Sequence, residues 1–167
     1  MKLFAKFSLP IFFLMAIGGC ATPYQSTSFM GGFSETRLGP DTFKISFRGN
    51  AFIGRETVAN YTLLRSAEVA LQNGYSYFII IDESEYTKTG VYTTPTTAFT
   101  TSSGSYSGSS YSGSATTTFQ GGDSFFYRKP GATNTIICFT EKPNVKGLVY
   151  DARYLSNSLK GKYGLSN

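Results

Sequence analysis

The feature that most constrains the fold is a long stretch without any charged side chain, residues 89–122. It consists mainly of Thr, Ser and Gly, with aromatic residues at Tyr92, Phe99, Tyr106, Tyr111 and Phe119. Its middle, SSGSYSGSSYSGS, offers too little apolar area to offset the entropy of ordering, which favours disorder. Its Thr-rich flanks favour β-structure. The sequence therefore predicts a low-complexity, hairpin-like insertion with a flexible tip, inside one folded domain of residues 35–167.

Two regular patterns precede this insertion. Apolar and polar residues alternate in TFKISFRGN, residues 42–50, and this period of two indicates a strand with one apolar face. Between residues 55 and 73, apolar residues recur every three or four positions, which indicates an amphipathic helix. Gly54 or Thr57 suits its N-cap, and Asn73-Gly74 suits its end.

Two further segments are apolar on both faces and predict buried strands. They are YSYFIII at residues 75–81 and TNTIICFT at residues 133–140. Another strand candidate lies just before the second segment, and Pro130-Gly131 suits a turn between them. The sequence thus predicts a hairpin over residues 124–140.

The chain closes with an amphipathic helix, in which Ala152, Leu155 and Leu159 share one face. Asp151 suits its start, and Lys160-Gly161 suits its end. Together these elements predict an α+β fold, with a single sheet of about four strands and two helices packed on one face. The first strand, helix and second strand predict a right-handed βαβ unit. We expect the opposite face of the sheet to be covered by the flanks of the insertion or by a partner.

The N-terminus has the pattern of a secretory signal peptide. Two lysines, an apolar run over residues 7–17 and two glycines precede Cys20. The run is shorter than the roughly 20 residues that span a bilayer. Because IGGC resembles the bacterial lipobox, we expect residues 1–19 to be removed and Cys20 to carry lipid, with residues 20–34 as a lipidated tether. The alternative is an ordinary signal peptide with a chance cysteine.

The residue after this cysteine is Ala21 rather than Asp, which resembles lipoproteins that are sent to the outer membrane. The predicted location is the outer membrane, with the periplasmic face preferred to the cell surface. Without Lys2 and Lys6, the 15 basic residues become 13 against 10 acidic ones, so the net charge falls from +5 to +3. This balance does not imply a nucleic-acid partner. Cys138 is then the single free thiol, and no intramolecular disulfide can form.

The composition argues against catalysis. The chain contains no histidine, which removes the commonest general base and the commonest metal ligand. The acidic group Asp82, Glu83 and Glu85 could offer oxygen ligands to Ca²⁺, but it lacks the glycine and spacing of a calcium loop. A solvated strand end is its ordinary explanation. We therefore predict no catalytic residue, no metal site and no cofactor.

Four segments carry a resemblance to a known family. ETRL, SFRGN and the RETVANY helix start, followed by the C-terminal YDARYLSNSLKGKYG, are similar to a family of small uncharacterised bacterial lipoproteins. The resemblance covers most of residues 31–84 and the final helix, and it leaves the insertion outside. It implies a lipoprotein, and it supplies no catalytic residue.

Four charged residues within the resembling part are candidates for an interaction surface: Arg37, Arg48, Arg55 and Glu56. Arginine suits bidentate pairing with carboxylates or phosphates. The alternative is structural, with Arg48 or Arg55 paired to Glu35 or Glu56 so that the first strand is held against the first helix. The residue types alone leave both interpretations open.

Three functions fit these features. The leading hypothesis is a non-enzymatic, membrane-anchored envelope lipoprotein that binds an envelope protein or helps to organise the envelope. The second is a surface-exposed, adhesion-like protein that uses the Ser/Thr/Tyr arm. The third is a hydrolase or binding protein for cell-wall or lipid ligands, which would require a pocket with converging acids.

Overall fold

The computed structural model describes residues 20–165, so the predicted signal peptide, residues 1–19, lies outside the described residues. The described chain divides into two compact units, one of residues 20–88 with 128–165 and one of residues 89–127. In chain order, the described elements are β1 (Gly32–Arg37), β2 (Thr42–Arg48), α1 (Arg55–Gln72), β3 (Tyr77–Thr93), β4 (Thr97–Ser107), β5 (Ser110–Gln120), β6 (Ser124–Phe139), β7 (Tyr150–Asp151) and α2 (Ala152–Tyr163).

The strands form two antiparallel sheets rather than one. Within the described chain, a five-stranded sheet has the order β1-β2-β6-β3-β7, and β4 pairs with β5 in a second sheet. The predicted α+β fold with a single sheet of about four strands is therefore wrong, since strands make up 50% of the chain and are divided between two sheets. The predicted βαβ unit is also interrupted. β6 lies between β2 and β3, so the strand that follows the insertion separates the two strands that flank α1.

Helix α1 begins at Arg55 and ends at Gln72, close to the predicted bounds. Gly54 is its N-cap and has an extended backbone. Gly74 follows the helix with a φ of 83°, and the next amide, that of Tyr75, donates to the Ala70 carbonyl at 2.9 Å. A residue with a side chain would be strained at this φ, which explains why glycine ends the helix.

The core consists of two neighbouring sets of apolar residues. One set joins the middle of α1 to β2, β6 and β3, and it includes Phe43, Ile45, Ala67, Phe78 and Ile136. The other set joins the start of α1 to the far end of β2, and its buried members are Phe47, Ile53, Val58, Tyr61 and Ala132. Alternate residues of β2 thus point into the core, as the period of two predicts.

Helix α2 packs on the same core through Ala152 and Leu155. Asp151 caps its start, as predicted, because a carboxylate oxygen accepts a hydrogen bond from the Tyr154 amide at 2.9 Å. The helix extends to Tyr163, beyond the end predicted at Lys160-Gly161, and Gly164 closes it in the left-handed conformation. The glycine that ends the helix is therefore Gly164, one turn later than the predicted Gly161.

The side chains that alternate with the core residues lie on the opposite face of the five-stranded sheet. On β2 this face carries the exposed Lys44 and Arg48. On the two central strands it carries Ile79, Ile81 and Ile137, of which Ile81 is 54% exposed and the others are half-buried. This face is therefore mixed in character, with an apolar centre beside a basic strand.

Strand β6 runs without interruption through Pro130 and Gly131, so the hairpin predicted over residues 124–140 is wrong. Pro130 keeps a place in the sheet because its carbonyl accepts from the Gly49 amide at 2.8 Å, even though it has no amide proton to donate. Gly131 lets the Tyr86 ring pack closely on the strand, since a Cβ there would collide with that ring unless it moved. Both residues that suggested a turn therefore serve a continuous strand.

The second unit contains an ordered hairpin where the sequence predicts a flexible tip. β4 and β5 pair over eleven positions, from Thr97 opposite Gln120 to Ser107 opposite Ser110. Gly108 makes the turn with a φ of 62°. The disorder predicted for the middle of the insertion is therefore wrong, because main-chain pairing is available even to a segment with few apolar side chains.

Candidate functional site

The segment that carries Cys20 is held against the first unit, and we name residues 20–31 the anchor segment. Thr22 is buried, and its hydroxyl donates to the Met30 carbonyl at 2.8 Å and accepts from the Asn50 amide at 2.8 Å. The Asn50 side chain donates to the Cys20 carbonyl at 2.7 Å. This end of the predicted tether, residues 20–34, therefore packs on the domain.

Tyr24 fixes the same segment to helix α1. Its ring lies 4.9 Å from that of Phe33 and 5.2 Å from that of Tyr61, measured between centroids. Its hydroxyl donates to a Glu68 carboxylate oxygen at 2.6 Å. Burial, followed by the hydrogen bond and charge of Glu68, raises the pKa of the Tyr24 phenol well above its usual value. The anchor segment is thus joined to the core by both packing and a charge-assisted hydrogen bond.

Gly31 allows the anchor segment to approach β2 closely. Its φ of 101° lies in the region that favours glycine, and a Cβ there would collide with the Arg48 carbonyl oxygen. The local hydrogen bonds between Ser28 and Gly31, at 2.8 and 3.1 Å, close a tight turn just before β1. This turn places Phe29 at its tip, where the side chain is fully exposed.

A cleft of about 240 Å³ opens beside this turn, and we name it the basic cleft. Its lining residues come from four places in the chain: Ser28 to Gly31, Arg48 to Asn50, Tyr86 with Lys88, and Lys129 with Pro130. Three of the lining residues are cationic and none is acidic. Asn50, which lines the cleft, also holds the Cys20 carbonyl, so the predicted lipidation site lies next to the cleft.

Arg65 is the centre of a charged network on the other side of the anchor segment. Its guanidinium binds Glu35 through two hydrogen bonds, at 2.7 and 2.9 Å, and Glu68 through one at 3.1 Å. Lys160 of α2 approaches Glu68 at 3.3 Å. Burial disfavours the charge, yet the hydrogen bonds to the two carboxylates raise the pKa of Arg65. The network thus links β1, α1 and α2, and through Glu68 it includes Tyr24.

The four predicted interaction residues lie in different settings. Arg37 donates to the Gly39 and Pro40 carbonyls and stacks on the Phe43 ring, which makes it part of the β1–β2 turn. Arg48 lines the basic cleft. Arg55 lines a second cleft that shares Tyr86 and Pro130 with the first one.

Glu56 pairs with Lys162 at 2.9 Å on the surface, where both side chains are largely exposed. Exposed pairs of this kind contribute little to folding. An ion pair does link a strand to α1, but it joins Glu35 of β1 to Arg65, and it involves neither the strand predicted at residues 42–50 nor Arg48 or Arg55. The structural alternative thus named Glu35 and the helix correctly, but neither the strand nor the arginine.

Sequence reasoning missed Tyr24, Phe29, Arg65 and Lys88. The first two lie in a segment without periodicity, and Lys88 lies at the border of the low-complexity insertion. A signal for Arg65 was present, because Arg65 and Glu68 are three residues apart on one helix and such residues are neighbours.

Cys138 is a buried core residue. Burial, and to a smaller extent the charge of Asp41, raises the pKa of its thiol to about 12, so it stays protonated at neutral pH. Within residues 20–165, no group of three potential metal-ligating side chains is found. In the same part of the chain, no helix is long and apolar enough to cross a membrane.

Comparison with known proteins provides no relative from which a function could be transferred. No protein-family model, no curated protein and no solved structure matches this chain.

Proposed function

We propose that this protein is a non-enzymatic lipoprotein of the cell envelope, anchored through lipid on Cys20 and acting as a protein-interaction or envelope-organising module. The proposed location is the outer membrane, with the domain on the periplasmic side. The observation that carries the proposal is the setting of Cys20. Its side chain is exposed while its carbonyl is held by Asn50, so the sulfur is accessible at a defined point on the domain.

The surroundings of Cys20 also suit a membrane surface. Arg48 and Lys88 in the basic cleft offer positive charge to phosphate headgroups, and the exposed Phe29 offers an apolar side chain to the headgroup boundary. A lipid on Cys20 would bring these residues to the bilayer together, because the anchor segment packs on the domain. The short distance between lipid and domain distinguishes this arrangement from a domain on a long flexible tether.

Three of the ten acidic residues form ion pairs within the fold, which fits a non-enzymatic protein. Glu35, Glu56 and Glu68 each form an ion pair with a lysine or an arginine. A general acid or base needs a carboxyl group that faces a substrate with an adjusted pKa. These three carboxylates instead connect elements of the fold.

Metabolic labelling with a palmitate analogue in a Gram-negative host tests the anchor. The Cys20→Ser variant should lose the label and move from the membrane fraction to the soluble periplasm. Cys138→Ser is the matched control, and it should keep the label because Cys138 is buried. Label on the Cys20→Ser variant, or its retention in the membrane fraction, would contradict the proposal. A density gradient that separates the two membranes tests the outer-membrane location.

Binding of the unlipidated chain to vesicles tests the basic cleft separately. Vesicles that contain phosphatidylglycerol should retain the protein better than neutral vesicles, and the variant Arg48→Glu with Lys88→Glu should bind less. The control variant, Lys142→Glu with Lys146→Glu, carries the same change in charge away from the cleft. Equal loss in both variants would indicate that only net charge matters.

A second candidate is the adhesion-like role, which is favoured by the complete exposure of β4 and β5. Protease treatment of intact cells separates the two proposals. A periplasmic domain should be cleaved only after the outer membrane is permeabilised. Cleavage of the hairpin on intact cells would favour the surface-exposed role.

A further inference from the structure

The two strands of the hairpin each have one unpaired edge. In the described residues, β4 pairs with β5 and with no other strand. Since a strand in a sheet can pair on both sides, each hairpin presents two free edges, each about eleven residues long. Free edges of this length are templates for pairing with another strand.

The hairpin also has no core of its own. Every residue of β4 and of β5 is exposed. The aromatic side chains are no exception, since Phe99, Tyr106, Tyr111 and Phe119 are 57 to 80% exposed. An isolated two-stranded hairpin is only marginally stable in water, and additional strands are the usual way to stabilise it.

The features that normally protect an edge are missing from both strands. Neither β4 nor β5 contains a charged residue or a proline. The pairing runs through eleven consecutive positions without a bulge. Natural proteins block free edges with lysines, prolines or bulges, so the absence of all three in these strands indicates edges that are available for pairing.

The turn determines which main-chain groups face outward. In a hairpin with a two-residue turn, the pair beside the turn exchanges both hydrogen bonds, and bonded pairs then alternate with unbonded ones. Ser107 and Ser110 are the pair beside the turn. Ser102 and Ala115, five positions further along, therefore form an unbonded pair, and their amide and carbonyl groups point away from the hairpin.

We propose that the β4–β5 hairpin pairs through a free edge with the hairpin of a second copy of this chain, forming a sheet shared between molecules. A second copy fits for three reasons. Its strands have the same length, and its uncharged hairpin meets the first without like-charge repulsion. Its serine and threonine hydroxyl groups can also bond those of the first copy, since a hydroxyl group both donates and accepts. The last point is visible within one hairpin, where Thr100 bonds Thr117 at 2.9 Å and Ser103 bonds Ser114 at 3.3 Å. The inference does not depend on lipid attachment.

Proline substitution at the outward-facing positions tests this proposal. Residues 20–167 with Cys20→Ser are produced without lipid and studied by sedimentation velocity over a range of concentrations. The parent should sediment as a dimer or a larger species whose fraction rises with concentration. Ser102→Pro combined with Ala115→Pro should be monomeric, because proline removes one outward amide from each edge without removing a bond inside the hairpin. The matched control, Ser102→Ala with Ala115→Ser, keeps both amides and should associate like the parent.

A mixed sample of isotope-labelled and unlabelled parent chain tests the site of contact without any edge variant. NMR contacts between labelled and unlabelled copies should fall within residues 97–120. A monomeric parent at every concentration would overturn the proposal. So would association of the proline variant equal to that of the parent, or intermolecular contacts confined to other parts of the chain.

Discussion

Strands β2 and β5 are both paired with antiparallel neighbours, yet three residues of β2 are buried and no residue of β5 is. In β2 the apolar residues alternate with polar ones, so one face supplies a row of core side chains. In β5 the side chains are uncharged and mostly small, and its two aromatic ones, those of Tyr111 and Phe119, are exposed. Main-chain pairing alone can therefore define a strand, whereas a continuous row of large apolar side chains on one face is needed to attach that strand to a core.

The largest difference between the two regions should appear when a phenylalanine is removed from each. Phe47→Ala should lower the free energy of unfolding by about 3 to 5 kcal/mol, because Phe47 is fully buried in the core. Phe119→Ala in the hairpin should change it by less than about 0.5 kcal/mol. Chemical denaturation measures both, and similar losses would show that the hairpin contributes to the core.

A smaller effect on the free energy of unfolding is expected from the charged network around Arg65, which links β1, α1 and α2. Glu68→Gln should lower the free energy of unfolding by about 1.5 to 3 kcal/mol, since Glu68 is mostly buried and serves Tyr24, Arg65 and Lys160. Glu56→Gln is the matched control, and it should have no measurable effect because that carboxylate is exposed. An equal effect of both variants would contradict the assigned role of the network.

The next smaller effect on the free energy of unfolding is expected from Tyr24, and it should depend on pH in the alkaline range. Its pKa is raised in the folded state, so its contribution to stability is complete below the unfolded pKa of about 10 and is lost as the pH rises above that value. Tyr24→Phe should cost about 1 kcal/mol at pH 7, and the difference from the parent should shrink above pH 10. Both chains should carry Cys138→Ala, because the buried thiol also titrates in this range. A difference that is independent of pH would contradict the proposed hydrogen bond to Glu68.

The smallest effect is expected from removing the hairpin altogether. Within the described residues, none of the buried core residues belongs to residues 89–127. Replacing residues 97–120 by a short Asn-Gly turn should therefore leave the melting temperature unchanged. Increased binding of a hydrophobic dye by this variant would indicate that the insertion covers apolar surface on the sheet, as the sequence suggested.

The elements with a strong local period could be predicted from the sequence. α1, β2 and α2 each repeat apolar residues at the spacing of their own geometry, and all three are found close to the expected bounds. β1 was missed because GFSETR contains a single large apolar residue and joins the sheet through its pairing with β2. The turn expected at Pro130-Gly131 was wrong because the same residues also allow a strand to pass close to Tyr86.

The candidate site was less predictable than the fold. Cys20 was marked by the residues that precede it, and Arg48 was chosen for its charge. The basic cleft itself unites residues 28–31, 48–50, 86–88 and 129–130, which no local pattern connects. The pairing of Glu35 with Arg65 likewise joins residues thirty positions apart.

The sequence by itself determined the local preferences of α1, α2 and β2, which of their faces are apolar, and which cysteine carries the lipidation pattern. These preferences depend on neighbours within a few residues, so they can be identified without a structure. Only the tertiary structure decided that β6 lies between β2 and β3, that the anchor segment packs on the domain, and that β4 and β5 keep free edges. These outcomes depend on contacts between residues far apart in the chain, where many pairings have similar local preferences and packing selects one of them.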